Sequence, residues 1–249
     1  CVAVTYRTRI LIIINVVTTL LNSILGNTVF SIKHLAVSFL PNNWFVTLYI
    51  VLYLLSPYIN SCIDRLNKMA YQRFLLLLLI LFSVCPLFVD VLQQWTGKEI
   101  NGLGTIGKYG GDYGYNIVNF IMMYVIGAYI RRFDVKCKSS ILVLVLLALI
   151  SAITGWAYLD NISGFAAERN AWEYCNPLVI FEAVVVFLLF KNMRNLQSRF
   201  INLIAKNCFF VYLLHLFFLR YLRISEFVTG NSLILIAHIV LSAIGVFFI

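Results

Sequence analysis

Phe74-Leu75-Leu76-Leu77-Leu78-Leu79-Ile80-Leu81-Phe82 decides the fold. No polar side chain interrupts this run, and it continues through Ser83, Pro86 and Asp90 to about position 94. The in-out alternation of an outer-membrane barrel strand is missing. In lipid, a backbone without water partners must bond to itself, which makes such a run a helix. A spanning helix needs roughly 20 mostly apolar residues. By that measure the sequence predicts helices over 9–25, 43–60, 74–94, 116–130, 140–158, 175–190, 200–219 and 231–249. The expected fold is all-α, a polytopic transmembrane bundle of about eight helices, organised as a single domain over 1–249.

Composition agrees. Hydrophobic residues make up 62% of the chain and charged residues 12%, against about 45–50% and about 25% in soluble domains. A water-facing surface cannot be built from so few charges. The formal net charge is +9. Nucleic-acid binding requires cations gathered on one aqueous surface, whereas these sit in short loops between apolar runs, so no nucleic-acid partner is expected. Cys1, Cys62, Cys85, Cys137, Cys175 and Cys208 include no CxxC pair, so neither a metal site nor a redox motif is expected.

The loops carry a topology signal. Arg7 and Arg9, then Arg65, Lys68 and Arg73, then Arg131, Arg132, Lys136 and Lys138, then Lys191, Arg194, Arg199 and Lys206 fall on one set of alternate sides. Only six of the 19 basic residues fall on the other. The positive-inside rule therefore places the start of the chain in the cytoplasm. Most acidic residues lean the opposite way: Glu99, Asp112, Asp160, Glu168, Glu173 and Glu226 lie in predicted outside loops. The outside loops at 26–42, 95–115 and 159–174 are the long ones, and long loops on a rigid scaffold carry function. Cys1 stands where a Met is usual, and Phe248 and Ile249 lie within an apolar run. The chain is expected to be a fragment lacking N-terminal helices.

Local motifs divide into bland and informative. Gly102-Leu-Gly104-Thr-Ile-Gly107 spells GxGxxG, but it lies in a predicted loop between membrane helices, without the βαβ context a dinucleotide site needs. Pro57, Pro86 and Pro177 fall inside or at the ends of predicted helices. Trp44, Trp95, Trp156 and Trp172 lie near predicted outer boundaries, as an interfacial aromatic belt does. Ionisable groups inside membrane helices are costly and mark candidate sites. Glu182 lies mid-helix, as a substrate or proton site or as a buried interhelical hydrogen bond. His215 lies near the outer end of its helix, as a base or as a packed structural histidine. His34 and His238 read more simply as structural. Tyr49 and Tyr53 are four apart, and Tyr212 and His215 three apart, so each pair shares a helix face and can line a cavity.

Four segments together resemble a known family. They are Asn43-Trp44-Phe45 with Leu48 to Asn60 (including Tyr49, Tyr53, Ser56 and Pro57), Gly114-Tyr115 with Tyr124 to Arg131, Asn176-Pro177-Leu178-Val179-Ile180 with Phe190-Lys191, and Asn207 to His215. In this order and spread they are similar to the acyltransferase 3 family of bacterial integral membrane O-acyltransferases. The resemblance implies acetyl-CoA or another acyl-CoA as co-substrate from the cytoplasmic side. It implies a hydroxyl of a cell-surface glycan or lipid-linked sugar as acceptor, and residence in the bacterial inner membrane among its lipids. The family's catalytic arginine and histidine belong to an early helix not present in this sequence, so His215 is the catalytic candidate here. A cytoplasmic RxxR implied to contact acyl-CoA is matched at its second arginine by Arg9, with Tyr6 at the first and Arg7 beside it. Trp44, Tyr49, Tyr53, Glu182 and Tyr212 are the acceptor-side candidates, with Trp44 as a sugar-stacking face. The alternative reading is a polytopic glycan or lipid transporter, or a polysaccharide polymerase. Transporters often show internal repeats or paired broken helices, and no repeat is evident here.

Overall fold

The computed structural model describes residues 31–39, 44–98, 114–163, 170–193 and 232–248, with isolated residues between 12 and 24 and between 198 and 211. It is mostly helical, and no strand occurs among the described residues. The chain divides into two compact units, one of Trp44–Arg194 and one of Cys1–Asn43 with Asn195–Ile249.

The Trp44–Arg194 unit holds α2 (Trp44–Ile63), α3 (Lys68–Leu79), α4 (Cys85–Thr96), α5 (Ile117–Arg132), α6 (Ser139–Ser163) and α7 (Pro177–Asn192). The other unit holds α1 (Ile32–Ser38) and α8 (Ser232–Phe248). Helices thus stand at the expected spans 43–60, 74–94, 116–130, 140–158, 175–190 and 231–249. The expected spans 9–25 and 200–219 lie largely outside the described residues. Among the described residues, three stretches are long and apolar enough to cross a membrane: Trp44–Ile63, Lys68–Gln93 and Ser139–Ile162. At 16 residues each, α5 and α7 are about 24 Å long, short of a hydrocarbon core of about 30 Å. α1 was not expected. It occupies part of the stretch read as a loop over 26–42, and its Ser38 hydroxyl returns to the Leu35 carbonyl oxygen at 2.7 Å.

Asparagines start three of these helices. Asn67 Oδ1 accepts from the Ala70 amide at 2.8 Å, Asn116 Oδ1 from Asn119 at 2.9 Å, and Asn176 Oδ1 from Leu178 at 2.9 Å. Each satisfies an amide that the first helical turn leaves without a partner. Pro177 follows its cap at the first helical position, where its missing N–H costs nothing. Between α3 and α4 the helix widens into a π-turn over Ile80–Val84. Pro86 explains it, because the ring lacks an amide hydrogen and crowds the carbonyl four residues back. Ser83 in this turn is fully buried and donates to the Cys175 carbonyl oxygen at 2.6 Å.

α5 is the central helix of its unit. Its Met122, Ile126 and Ile130 pack with Leu142 of α6 and Ile180, Val185 and Leu188 of α7. Its Val125 packs with Ile63 of α2 and the buried Tyr71 of α3. The outer faces are apolar as well: Leu144 is 70% exposed and Leu147 61%. In water such a surface is an association hazard. In a bilayer it faces lipid, and helices there associate through packing and hydrogen bonds rather than by escaping water. The chain is a membrane protein.

Candidate functional site

The Trp44–Arg194 unit has two chemically distinct ends. The C-terminal ends of α2, α5 and α7 meet at one of them, together with the two expected basic loops that lie wholly within this unit. Arg132 donates from Nη1 to the Ile63 carbonyl oxygen at 2.8 Å and from Nη2 to that of Asp64 at 3.1 Å. The Asp64 carboxylate lies 4.0 Å from the same guanidinium. Lys191 donates to Asp134 Oδ1 at 2.9 Å and to the Val135 carbonyl oxygen at 3.0 Å. Lys136 takes the other Asp134 oxygen at 2.9 Å. Hydrogen bonds from Lys136 and Lys191 hold the Asp134 carboxyl below the usual aspartate range, and the bond to Asp134 raises Lys136 above the usual lysine range.

A cavity of about 1020 Å³ opens at this end. Asn60, Asp64, Tyr124, Gly127, Arg131 and Lys191 are among its lining residues. It is at the upper end of the volumes typical of small-molecule and cofactor sites, about 300–1,000 Å³. The Tyr124 hydroxyl donates to Asn60 Oδ1 at 2.9 Å, tying α5 to α2 across it. A Cβ in place of the hydrogen of Gly127 meets nothing within 4 Å, so the wall is open there. Charged groups of both signs share the lining with the apolar Ile63, Ala128, Ile130 and Phe187. Among the described residues that line it there is no histidine.

The other end gathers the N-terminal ends of α2, α5 and α7 around Trp44. Its ring stands edge-on to Tyr115 at 4.6 Å and lies 6.0 Å from Tyr174. Gly114 is wedged against this loop. Its φ is +86°, and a Cβ there would lie 2.6 Å from the Cys175 amide nitrogen. Asn119 donates to the Gly114 carbonyl oxygen at 3.1 Å and to that of Tyr174 at 3.3 Å. Glu173, expected in an outside loop, is only 5% exposed.

The sequence candidates distribute as follows. Trp44 joins the aromatic cluster. Tyr49, one turn on, stacks on Phe45 at 6.3 Å, and Tyr53 is half exposed. Neither tyrosine lines the basic-end cavity. Glu182 is half-buried in the middle of α7, and its side chain makes no hydrogen bond or ion pair among the described residues. Arg7, Arg9, Tyr212 and His215, like the glycines at 102–107, lie outside the described residues. His238 Nδ1 lies 3.3 Å from the Ser242 hydroxyl, one turn away, in keeping with a structural role.

The cavity residues went unnoticed in the sequence because Arg131, Arg132 and Lys191 read as topology markers. One signal was available. Asp64 and Asp134 are acidic residues on the basic side, against the trend of the chain, and they turn out to face Arg132 and Lys191 of the cavity.

Apolar helices packed around a cavity with charged residues at its mouth define a helical membrane protein. A family model described as an acyltransferase domain matches residues 6–249, and the chain belongs to the acyltransferase 3 family. It is a membrane acyltransferase. No curated protein and no solved structure matches it.

Proposed function

We propose that this protein moves an acetyl or other short acyl group from acyl-CoA to a hydroxyl of a cell-surface glycan or lipid-linked sugar. In this reading it resides in the bacterial inner membrane with the basic end of the Trp44–Arg194 unit in the cytoplasm. The observation that carries the reading is the basic-end cavity, which places Arg131, Arg132 and Lys191 on the wall of a large open volume. Acyl-CoA is a polyanion with a long organic arm, and it is made in the cytoplasm, the side to which the positive-inside rule assigns this end.

The acceptor hydroxyl oxygen attacks the thioester carbonyl carbon. The new C–O ester bond forms, the C–S bond breaks, and coenzyme A leaves as its thiol with the proton given up by the hydroxyl. A general base must take that proton in transit. His215 is our candidate among the residues of this chain. Arg7 and Arg9 are assigned to acyl-CoA by family likeness. Trp44, Tyr49, Tyr53, Tyr212 and Glu182 are assigned to the acceptor side, where the aromatic cluster around Trp44 supplies faces for a sugar ring.

The test is acyl transfer in membranes from cells expressing the protein, supplied with radiolabelled acetyl-CoA and cell-envelope glycan. Base-labile label should enter the glycan, and His215→Ala, inserted to the same level, should abolish it. No label across several glycan acceptors would remove the acyl-CoA-to-sugar reading and favour transport of a glycan or lipid.

A further inference from the structure

Resting on the reading of acyl-CoA as donor, we propose that Arg131 is the residue that binds a phosphate of the donor at the basic-end cavity, while Arg132 and Lys191 shape the site without contacting it. Of the charged residues that line the cavity, Asp64, Arg132, Asp134 and Lys191 are engaged with one another or with backbone. Arg132 spans two carbonyl oxygens of the α2 end and faces the Asp64 carboxylate. Lys191 is held by Asp134 and the Val135 carbonyl oxygen. Asp134 is neutralised twice over, because Lys136 takes its second oxygen.

Arg131 is the exception. It lines the cavity and is exposed, and its side chain makes no hydrogen bond or ion pair among the described residues. The three cations of the lining, Arg131, Arg132 and Lys191, face two carboxylates, Asp64 and Asp134. The uncompensated positive charge therefore rests on the cation with no partner. Gly127 lies four residues earlier on α5, hence on the same helix face, and the space beside it is open. Arg131 and the open position at Gly127 thus share one helix face on the cavity wall. A guanidinium presents a planar fork that fits two oxygens of one phosphate, and a charge-assisted pair of that kind is stronger than a neutral hydrogen bond. A lipid headgroup offers the same phosphate chemistry, so the test must separate the two sources.

The full chain is purified into nanodiscs of phosphatidylcholine. Binding of coenzyme A and of pantetheine, which lacks the phosphates, is measured by calorimetry for wild type, Arg131→Gln and Arg131→Lys. Arg131→Gln is expected to weaken coenzyme A binding about tenfold, the scale of one hydrogen-bonded charge. Arg131→Lys should recover part of it. Pantetheine binding and the thermal midpoint should not change. Equal loss for both ligands overturns the proposal, since it marks a packing role. So does a wild type that binds coenzyme A no better than Arg131→Gln. If adding phosphatidylglycerol to the discs erases the wild-type advantage, Arg131 serves lipid phosphate and the proposal fails. A wild type that binds no coenzyme A at all overturns the donor reading itself, and this proposal with it.

Discussion

Arg132, the last residue of α5, donates to the carbonyl oxygen of Ile63, the last residue of α2, at 2.8 Å. The final carbonyls of a helix have no partner within it, and here one helix end is finished by a side chain from another. The adjacent Arg131 has no such duty. Two neighbouring arginines of the same chemistry therefore predict opposite phenotypes. Arg132→Gln should lower the thermal unfolding midpoint in detergent, with a loss of about 1.5–3 kcal/mol for hydrogen bonds to a charged group. The lower part of that range is expected because the side chain is partly exposed. An unchanged midpoint would show that water replaces these bonds at no cost.

Gly114→Ala should destabilise the aromatic end. The backbone there is left-handed at φ +86°, and the added methyl would meet the Cys175 amide nitrogen at 2.6 Å. Strained backbone of this kind costs about 1–3 kcal/mol, before any clash is counted. Loss of stability by scanning calorimetry, with the basic end still able to bind ligand, is the expected pair of results.

Asp134 sets a dependence on pH. Its folded pKa is depressed by Lys136 and Lys191, so its contribution is complete above the ordinary aspartate value of about 3.9. It is lost as the pH falls through the lower folded value. Lys136 is raised, so its contribution is complete below the ordinary lysine value of about 10.4 and fades above it. Both groups are exposed, and added salt should weaken the effect. Unfolding midpoints of wild type and Asp134→Asn should differ at neutral pH and converge in acid. A gap that persists unchanged in strong acid would rule this out.

Gly127→Met should narrow the cavity without unsettling the fold, because a Cβ at this position meets nothing within 4 Å. Replacing a mid-helix glycine also favours the helix by up to about 1 kcal/mol. The midpoint should hold or rise while KM for the acyl donor rises several-fold. A falling midpoint would mean that the space is occupied.

Orientation can be read by chemical labelling. In a variant whose native cysteines are replaced, Lys136→Cys should react with a membrane-impermeant maleimide only in inverted vesicles. Trp172→Cys should react only in intact cells with a permeable outer layer. Both residues are well exposed. The reversed pattern would turn the protein over and remove cytoplasmic acyl-CoA from the cavity.

The sequence made the helices legible wherever apolar length alone defines them, as for Trp44–Ile63 and Ser139–Ile162. α1 escaped because seven residues carrying Lys33 and His34 are too short and too polar to register as a span. The starts of α3, α5 and α7 were within reach, since Asn67, Asn116 and Asn176 are ordinary capping residues. The aromatic end was partly legible through Trp44, but its partners Tyr115 and Tyr174 come from other segments. The basic-end cavity was not. It exists because three helix ends converge, and each of its cations is in sequence only a positive charge beside a membrane helix.

The π-turn at Ile80–Val84 has a consequence for how this chain tolerates change in length. The turn accommodates one residue more than a regular α-helix path needs. Removing one residue from it would rotate everything beyond by about 100°, the angle per residue at 3.6 residues per turn. The face that α4 now presents would swing a quarter-turn away while Tyr71 and the start of α3 stayed put. The relative phase of the two halves is thus written in the residue count of a single turn. A one-residue deletion here should be far more disruptive than any side-chain exchange in the same helix, and an insertion one turn away could not undo it without rebuilding the Ser83–Cys175 anchor.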